Sequence, residues 1–267
     1  MPIANARMYS VTASCRADWN TVLGWAFERA GLDWPFVDHD APAPLATLWS
    51  RDDLGAAMMC GLPFSLRRPV PTLIAAPRPS PLRYEGRAQY FTDLVVAASS
   101  RYRTLEDTFG SIVGYTLANS MSGGVAMRHH LQRHRTPKRA RLYRASVGNL
   151  VHARGVIEAL LDGRIDVGPL DSYSHDLLRH NDAAFAARVR TIESTRAWPI
   201  PPIVATATVP PRSLERLRMA LRASEHEPDL AAPMARLLLA GFAFPDPADY
   251  DLLASVARDT STSFESL

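Results

Sequence analysis

Short apolar runs alternate with amphipathic segments along the chain, and this alternation restricts the fold more than any other feature of the sequence. The clearest run is Leu54-Gly55-Ala56-Ala57-Met58-Met59-Cys60-Gly61. It lacks the period-two alternation of a half-exposed strand, so it reads as a strand covered on both faces and ending in a glycine turn. Further strands are expected over Ile3 to Tyr9, Thr72 to Pro77, Tyr90 to Val96, Ile112 to Tyr115, Arg141 to Arg144, Ile165 to Leu170, Val189 to Ser194 and Ile203 to Ala207, with a short one at Pro35 to Val37. Residues 77–81 read as a proline-rich loop. Trp19, Val22, Leu23, Ala26 and Phe27 stand at helical spacing within 18–30, before Gly31. Helices are also expected over 42–50, 125–131, 153–161, 173–179, 213–223, 229–239 and 247–258.

Strands alternating with helices predict an α/β fold with mostly parallel sheets. About ten strands are too many for one small sheet, so two smaller sheets in two lobes are the better arrangement. The expected division is a discontinuous lobe 1 of residues 1–98 and 199–267 and a lobe 2 of residues 99–198. Tyr90–Val96 and Pro199–Pro202 are the two crossings.

Composition sets the outer limits. The chain has 267 residues, 47% hydrophobic and 21% charged, enough to bury a core without disulfide or metal staples. A net charge of +3 is spread along the sequence rather than gathered in a stripe. The basic cluster from His129 to Arg139 reads as a solvated helix end and loop, so no nucleic-acid partner is expected. Cys15 and Cys60 make no disulfide framework, and no Cys-x-x-Cys pair occurs. No run approaches the ~20 apolar residues of a membrane span, so no membrane insertion is expected. Met1 to Tyr9 contains no apolar h-region, which fits a periplasmic protein whose leader was trimmed or a cytoplasmic one with a native Met1.

In an open α/β sheet, ligands bind beyond the carboxyl ends of the strands. That rule selects Tyr9-Ser10-Val11-Thr12, Cys60-Gly61, Asn119-Ser120-Met121-Ser122-Gly123 and Leu170-Asp171-Ser172-Tyr173. The third places two hydroxyls at a helix start, with glycines at 123 and 124 to admit an anion to the backbone. The competing reading is a plain N-cap by Ser120 or Ser122. Asp171 is either a partner for a ligand ammonium or hydroxyl, or a cap for the next helix. His152, just before the helix at Ala153, is a donor to an anion or a structural residue. Tyr84, Tyr90 and Trp198 are cleft-wall or packing aromatics. His130 and His134 stand four apart, yet no third ligand or His-Glu-x-x-His pattern accompanies them, so no metal is expected. Gly-x-Ser-x-Gly, Gly-x-Gly-x-x-Gly and the P-loop pattern are all absent, so neither catalytic residues nor a cofactor are assigned.

Several segments together resemble the phosphate/phosphonate substrate-binding proteins of ABC transporters. They are Tyr90 to Val96, Thr104-Leu105-Glu106-Asp107, Ser120-Met121-Ser122-Gly123, and the run from Val156 through Asp162-Gly163 to Asp171-Ser172, in order across roughly residues 54–205. Cys60-Gly61-Leu62-Pro63-Phe64 stands where the family often has a Gly-Pro turn ending in an aromatic residue. The resemblance implies a two-lobed type 2 periplasmic-binding fold with two crossing strands and the ligand between the lobes. It also implies that Ser120, Ser122 and Gly123 cradle the anionic group, that Asp171 binds a ligand amine, and that His152 is a polar contact. The implied ligand is small and anionic or zwitterionic, the implied partner is an ABC permease, and a monomer is expected. Met121 departs from the pattern, since phosphonate-binding members commonly carry a hydroxyl residue between the two serines. Two other readings share the fold: a cytoplasmic enzyme resembling chorismate dehydratases or thiamine-pyrimidine synthases, and a cytoplasmic ligand sensor.

Overall fold

The computed structural model describes residues 1–260 and 262–267. The chain divides into two compact units: Met1–Gln89 with Pro199–Asp251, and Tyr90–Trp198 with Leu252–Leu267.

Unit 1 is built on a five-stranded sheet in the order β1 (Ile3–Asn5), β2 (Leu54–Met58), β11 (Ile203–Ala205), β3 (Thr72–Pro79), β12 (Leu239–Ala243). Every residue of β2 is buried, as its unbroken apolar run requires. The pairing of β1 with β2 is parallel, but β11 runs antiparallel to both β2 and β3, and β12 antiparallel to β3. The expectation of mostly parallel sheets is therefore corrected. A parallel pair needs a crossover connection. The chain instead reaches β11 through the extended segment 198–202 and enters between β2 and β3 from the end where β2 finishes, with Ile203 opposite Met58.

The first helix, α1 (Ala13–Arg29), starts earlier than its apolar spacing suggests, because Thr12 Oγ1 accepts the Cys15 N–H at 3.1 Å and caps it. Trp19, Val22, Leu23, Ala26 and Phe27 are all buried as predicted. Short helices α2 (Leu45–Trp49) and α3 (Gly61–Leu66) flank β2, and α8 (Pro211–Ala223) and α9 (Ala231–Arg236) complete the unit. Cys15 and Cys60 are both buried thiols.

Three local expectations fail here for identifiable reasons. The segment from Ile3 to Tyr9 is strand only to Asn5 and then turns as a 3-10 helix, Arg7–Tyr9. The proline-rich loop is strand as far as Pro79: β11 covers only Thr72 to Ala75, so Pro77 and Pro79 are paired on one side alone, where a missing N–H is tolerated. The helix expected to reach 239 stops at Arg236, and 239–243 is the edge strand β12. Gly241 lies there at φ +146, and a Cβ on it would fall 2.3 Å from the Glu225 side chain.

Unit 2 centres on β5 (Thr92–Ala97), flanked antiparallel by β8 (Gly168–Asp171) and β9 (Val189–Ser194). These pairings explain why β5 belongs to this unit rather than to the first lobe, where the sequence reading put residues up to 98. Beside this sheet, β6 (Ile112–Gly114) pairs parallel with β7 (Ala145–Val147) and bridges through Val113 to Val167. The segment 141–144, read as a strand, is irregular instead. The backbone N–H groups of Leu142 and Tyr143 donate to the C-terminal Leu267 carbonyl at 2.6 and 2.9 Å. Phe264 and Leu267 pack into the core with Leu94, Val96, Met127, Leu131 and Val167, which ties the C-terminal residues to this unit as well. The strands β4 (Gln89–Tyr90) and β10 (Trp198–Pro199) mark two passages of the chain from one unit to the other. Helices α4 (Ala126–Leu131), α5 (Ala153–Leu161), α6 (Ser172–Asn181), α7 (Ala183–Ala186) and α10 (Asp251–Asp259) complete the fold. No helix among the described residues is long and apolar enough to cross a membrane.

Candidate ligand-binding site

In unit 2 the chain leaves β6 and turns over residues 116–119 into a helix start. Ser120 is the N-cap, its Oγ accepting the Gly123 N–H at 3.3 Å. The first turn, Met121–Val125, is π-helical, with the Val125 N–H donating to the Ser120 carbonyl at 2.9 Å, and it runs directly into α4. Such wide turns recur at functional sites. The capping reading of Ser120 is thus realised, while Ser122 is left for other work. Ser122 is 9% exposed, and its carbonyl accepts the Thr92 hydroxyl at 2.9 Å.

The two glycines serve a purpose different from the one their sequence position suggests. A Cβ at residue 123 would lie 1.7 Å from Thr116 Oγ1, and one at residue 124 would lie 2.5 Å from the Leu117 carbonyl oxygen. They let the helix start pack against the turn that precedes it. That they admit an anion to the backbone does not follow.

Hydrogen bonds gather several other polar groups around Thr92. Its N–H donates to Thr195 Oγ1 at 3.0 Å, and its carbonyl accepts the Thr195 N–H at 2.9 Å. It lies opposite Asp171 in the β5–β8 ladder. The neighbouring Phe91 N–H donates to Ser172 Oγ at 2.8 Å. Ser122, Thr92, Asp171, Ser172 and Thr195 therefore share one end of the β8–β5–β9 sheet. Asp171 caps α6, Oδ1 accepting the Ser174 N–H at 3.0 Å. One residue further along β5, the fully buried Asp93 accepts the Ser194 hydroxyl through Oδ1 at 2.7 Å and faces His175 Nδ1 through Oδ2 at 2.9 Å. The sequence reading missed Thr92, Asp93, His175 and Thr195. Its available signal was Thr92-Asp93 inside an otherwise apolar run.

His152 is the N-cap of α5, with Nδ1 accepting the Gly155 N–H at 3.0 Å. That nitrogen is an acceptor here, so the ring does not donate from it to an anion. Just before it, Asn149 and Val151 adopt φ +57 and +65. A β-branched residue in the left-handed region is strained.

In unit 1, Tyr9 and Ser10 follow β1, and Cys60 and Gly61 follow the parallel β2, so both turns leave the same sheet edge. Ser10 Oγ donates to the Ala6 carbonyl at 2.9 Å and borders a small polar pocket with Asn5, Arg7, Arg16 and Asp40. Arg7 is partly buried, and burial lowers its pKa while nearby Asp40 opposes that shift. Its backbone N–H donates to Asn5 Oδ1 at 2.9 Å. The sequence reading singled out neither Arg7 nor Arg16. Cys60 and Gly61 open α3 and are buried. Tyr9 and Tyr90, read as contacts, are fully buried, as are Tyr84 and, nearly so, Trp198. Among the described residues, the one group of side chains with metal-ligand geometry is His130, His134 and Glu193.

Residues 64–250, more than two thirds of the chain, match the family described as periplasmic phosphonate substrate-binding proteins of ABC transporters. The chain belongs to this family. Membership favours the binding-protein reading over the enzyme reading. Solved structures agree on the fold. The binding-protein component of an ABC phosphonate transporter from Pseudomonas aeruginosa superimposes with a TM-score of 0.77 at 16% identity, covering 98% of this chain and 88% of that one. PhnD1 from Prochlorococcus marinus, in complex with methylphosphonate, gives a TM-score of 0.79 at 12% identity over 97% of both chains. A Xanthomonas citri protein bound to chloride gives 0.67 at 18% identity, covering 97% of this chain and 98% of that one. No curated protein matches the sequence. This substrate-binding protein thus has the α/β periplasmic-binding fold that its sequence implied.

Proposed function

We propose that this substrate-binding protein takes a small anion of the phosphonate class at the helix start formed by residues 120–123 and delivers it to an ABC permease. The reading rests on Ser122, a nearly buried serine in the first turn of a helix, with its backbone held in place by Thr92. The first N–H groups of a helix lack partners within it and attract anions. The Gly123 N–H is already taken by Ser120 Oγ, so the turn's side-chain donors are the Ser122 hydroxyl and the O–H that Ser120 keeps while accepting. Asp171, a carboxylate at the same sheet end whose Oδ1 accepts the Ser174 N–H, has the charge to attract the ammonium of an aminoalkylphosphonate. Methionine between the serines has a fully buried side chain and adds no donor, which favours a ligand that asks for fewer hydroxyl contacts. The enzyme reading needs an acid–base pair that can meet a substrate. The Asp93–His175 pair is fully enclosed.

The test is a thermal-shift series with methylphosphonate, 2-aminoethylphosphonate, inorganic phosphate and acetate, run on the wild type and on Ser122→Ala. A ligand that binds only the folded protein at about a hundred times its Kd adds about 2.7 kcal/mol. A rise in Tm with a phosphonate that is lost in Ser122→Ala supports the site. An equal rise in both proteins overturns the assignment to this turn, and no rise with any of the four overturns the anion class.

A further inference from the structure

The helix that begins at the serine turn carries a second feature, at its other end, on which the proposed ligand site does not depend. After Leu131 the helix tightens into a 3-10 turn, Gln132–His134. This brings His130 and His134 together with Glu193 on β9, a residue far away in sequence. One nitrogen from each imidazole and one Glu193 oxygen all lie within 4.8 Å of one another. His130 Nε2 is 2.6 Å from Glu193 Oε1.

We propose that His130, His134 and Glu193 form a binding site for a divalent metal ion of the zinc type. Two imidazoles and one carboxylate are a donor set that such ions accept, with bonds of about 2.0–2.2 Å and donors spaced about 3.3 Å apart in a tetrahedral site. The His130–Glu193 pair has to open by under about 1 Å to reach that spacing. The outer contacts fit as well. His134 Nδ1 faces Glu106 Oε1 at 3.2 Å. A carboxylate there holds the proton on Nδ1 and leaves Nε2 as the ligand, the usual arrangement behind a metal-bound histidine.

A guanidinium now stands where the ion would. Arg133 donates through Nε to His134 Nε2 at 3.1 Å and through Nη2 to Glu193 Oε1, so one side-chain cation bridges two of the three prospective ligands. Its side chain is 56% exposed and can swing into water when an ion arrives. Glu106 and Glu193 against Arg133 leave the group net negative, which favours a further cation. The site therefore has a built-in competitor, and removing that competitor should tighten metal binding.

The experiment is titration with zinc against a chromophoric chelator, on the wild type and on Arg133→Met, Glu106→Gln, His134→Ala and Glu193→Gln, with cobalt spectra of Arg133→Met. The expected result is one ion per chain, bound about tenfold more tightly by Arg133→Met and about tenfold more weakly by Glu106→Gln. Loss of binding is expected in His134→Ala and Glu193→Gln, and cobalt should show the strong visible absorption of a four-coordinate ion. Arg133 and Glu106 are both more than half exposed, so these two variants fold and decide the matter even if the ligand variants do not. The proposal is overturned if Arg133→Met takes up no zinc at micromolar metal, or if the affinity is the same in all folded variants. Either result would make the cluster an ordinary ion pair.

Discussion

The two units differ most in what they bury. Among the described residues, unit 1 buries four polar side chains, Asn5, Asp18, Ser65 and Ser224, whereas unit 2 buries eleven. Unit 1 is an apolar sheet with polar groups at its margins. Unit 2 carries Thr92, Asp93, Ser122, Ser172, Ser174, His175 and Thr195 inside, around one end of a three-stranded sheet. Buried polar groups must be hydrogen-bonded, and a network that satisfies them fixes geometry more tightly than apolar packing does. The difference teaches that unit 2 holds its proposed ligand turn through buried polar contacts, with His175 Nε2 left without a partner among the described residues, whereas the polar contacts of the unit 1 turn at Asn5 to Ser10 lie at the margin of its sheet.

The largest test of that contrast sets two aspartates against each other. Asp93→Ala leaves the fully buried His175 Nδ1 without its acceptor, while the exposed Ser194 hydroxyl turns to water, and should cost about 3–5 kcal/mol in urea unfolding. Asp18→Ala in unit 1 breaks a bidentate pair with Arg236, whose side chain is half exposed and finds water instead, so its loss should be much smaller. Equal losses would erase the contrast.

Gly123→Ala comes next. Its Cβ would collide with Thr116, an overpacking cost of about 1–3 kcal/mol. Thr116→Gly on the same chain should recover much of it. Failure of that rescue would return the glycine to a role at the ligand.

The helix caps allow a matched pair. Thr12→Ala and Ser120→Ala each remove an N-cap and should each cost about 1 kcal/mol by thermal unfolding. Methylphosphonate affinity, measured by calorimetry, should fall for Ser120→Ala alone. A fall in both would sink the assignment of the anion to the unit 2 turn.

The smallest effect is acidic. Asp53 in unit 1 is held below the usual carboxylate range chiefly by a hydrogen bond from Arg51, and Asp107 in unit 2 by N–H bonds from Arg103 and then Thr104. A carboxyl with a lower pKa folded than unfolded adds stability above its unfolded value of about 4, and that contribution is lost as pH falls through the folded value. Asp53→Asn and Asp107→Asn should each lower Tm slightly at neutral pH and converge with the wild type below the folded pKa, so that the fall in Tm on acidification is slightly flattened. Both groups are exposed, so a large change at neutral pH would contradict the structure.

Much of unit 1 could be read directly from the sequence, because apolar periodicity reports local burial. The fully buried β2 and the inward face of α1 follow from Leu54–Met58 and from Trp19 to Phe27 with nothing else supplied. The edge strand β12 was hidden, since five apolar residues after a helix continue the helical pattern as well as they begin a strand. In unit 2 the serine turn and the capping position of Asp171 were visible, because caps are local chemistry, whereas His152 was placed before its helix without being read as the cap it is. The partners around Thr92 and Asp93 were not, as those hydrogen bonds join residues about eighty to a hundred positions apart.

By itself, then, the sequence determined the α/β class, the family and the turn where an anion is expected, since each of these is written in short runs and local spacing. Only the tertiary structure decided that most strand pairs are antiparallel, that Gly123 makes room for Thr116, and that Glu193 comes to lie beside His130 and His134. Those outcomes depend on which distant segments the folded chain brings into contact, and no local pattern of residues encodes a contact across sixty positions.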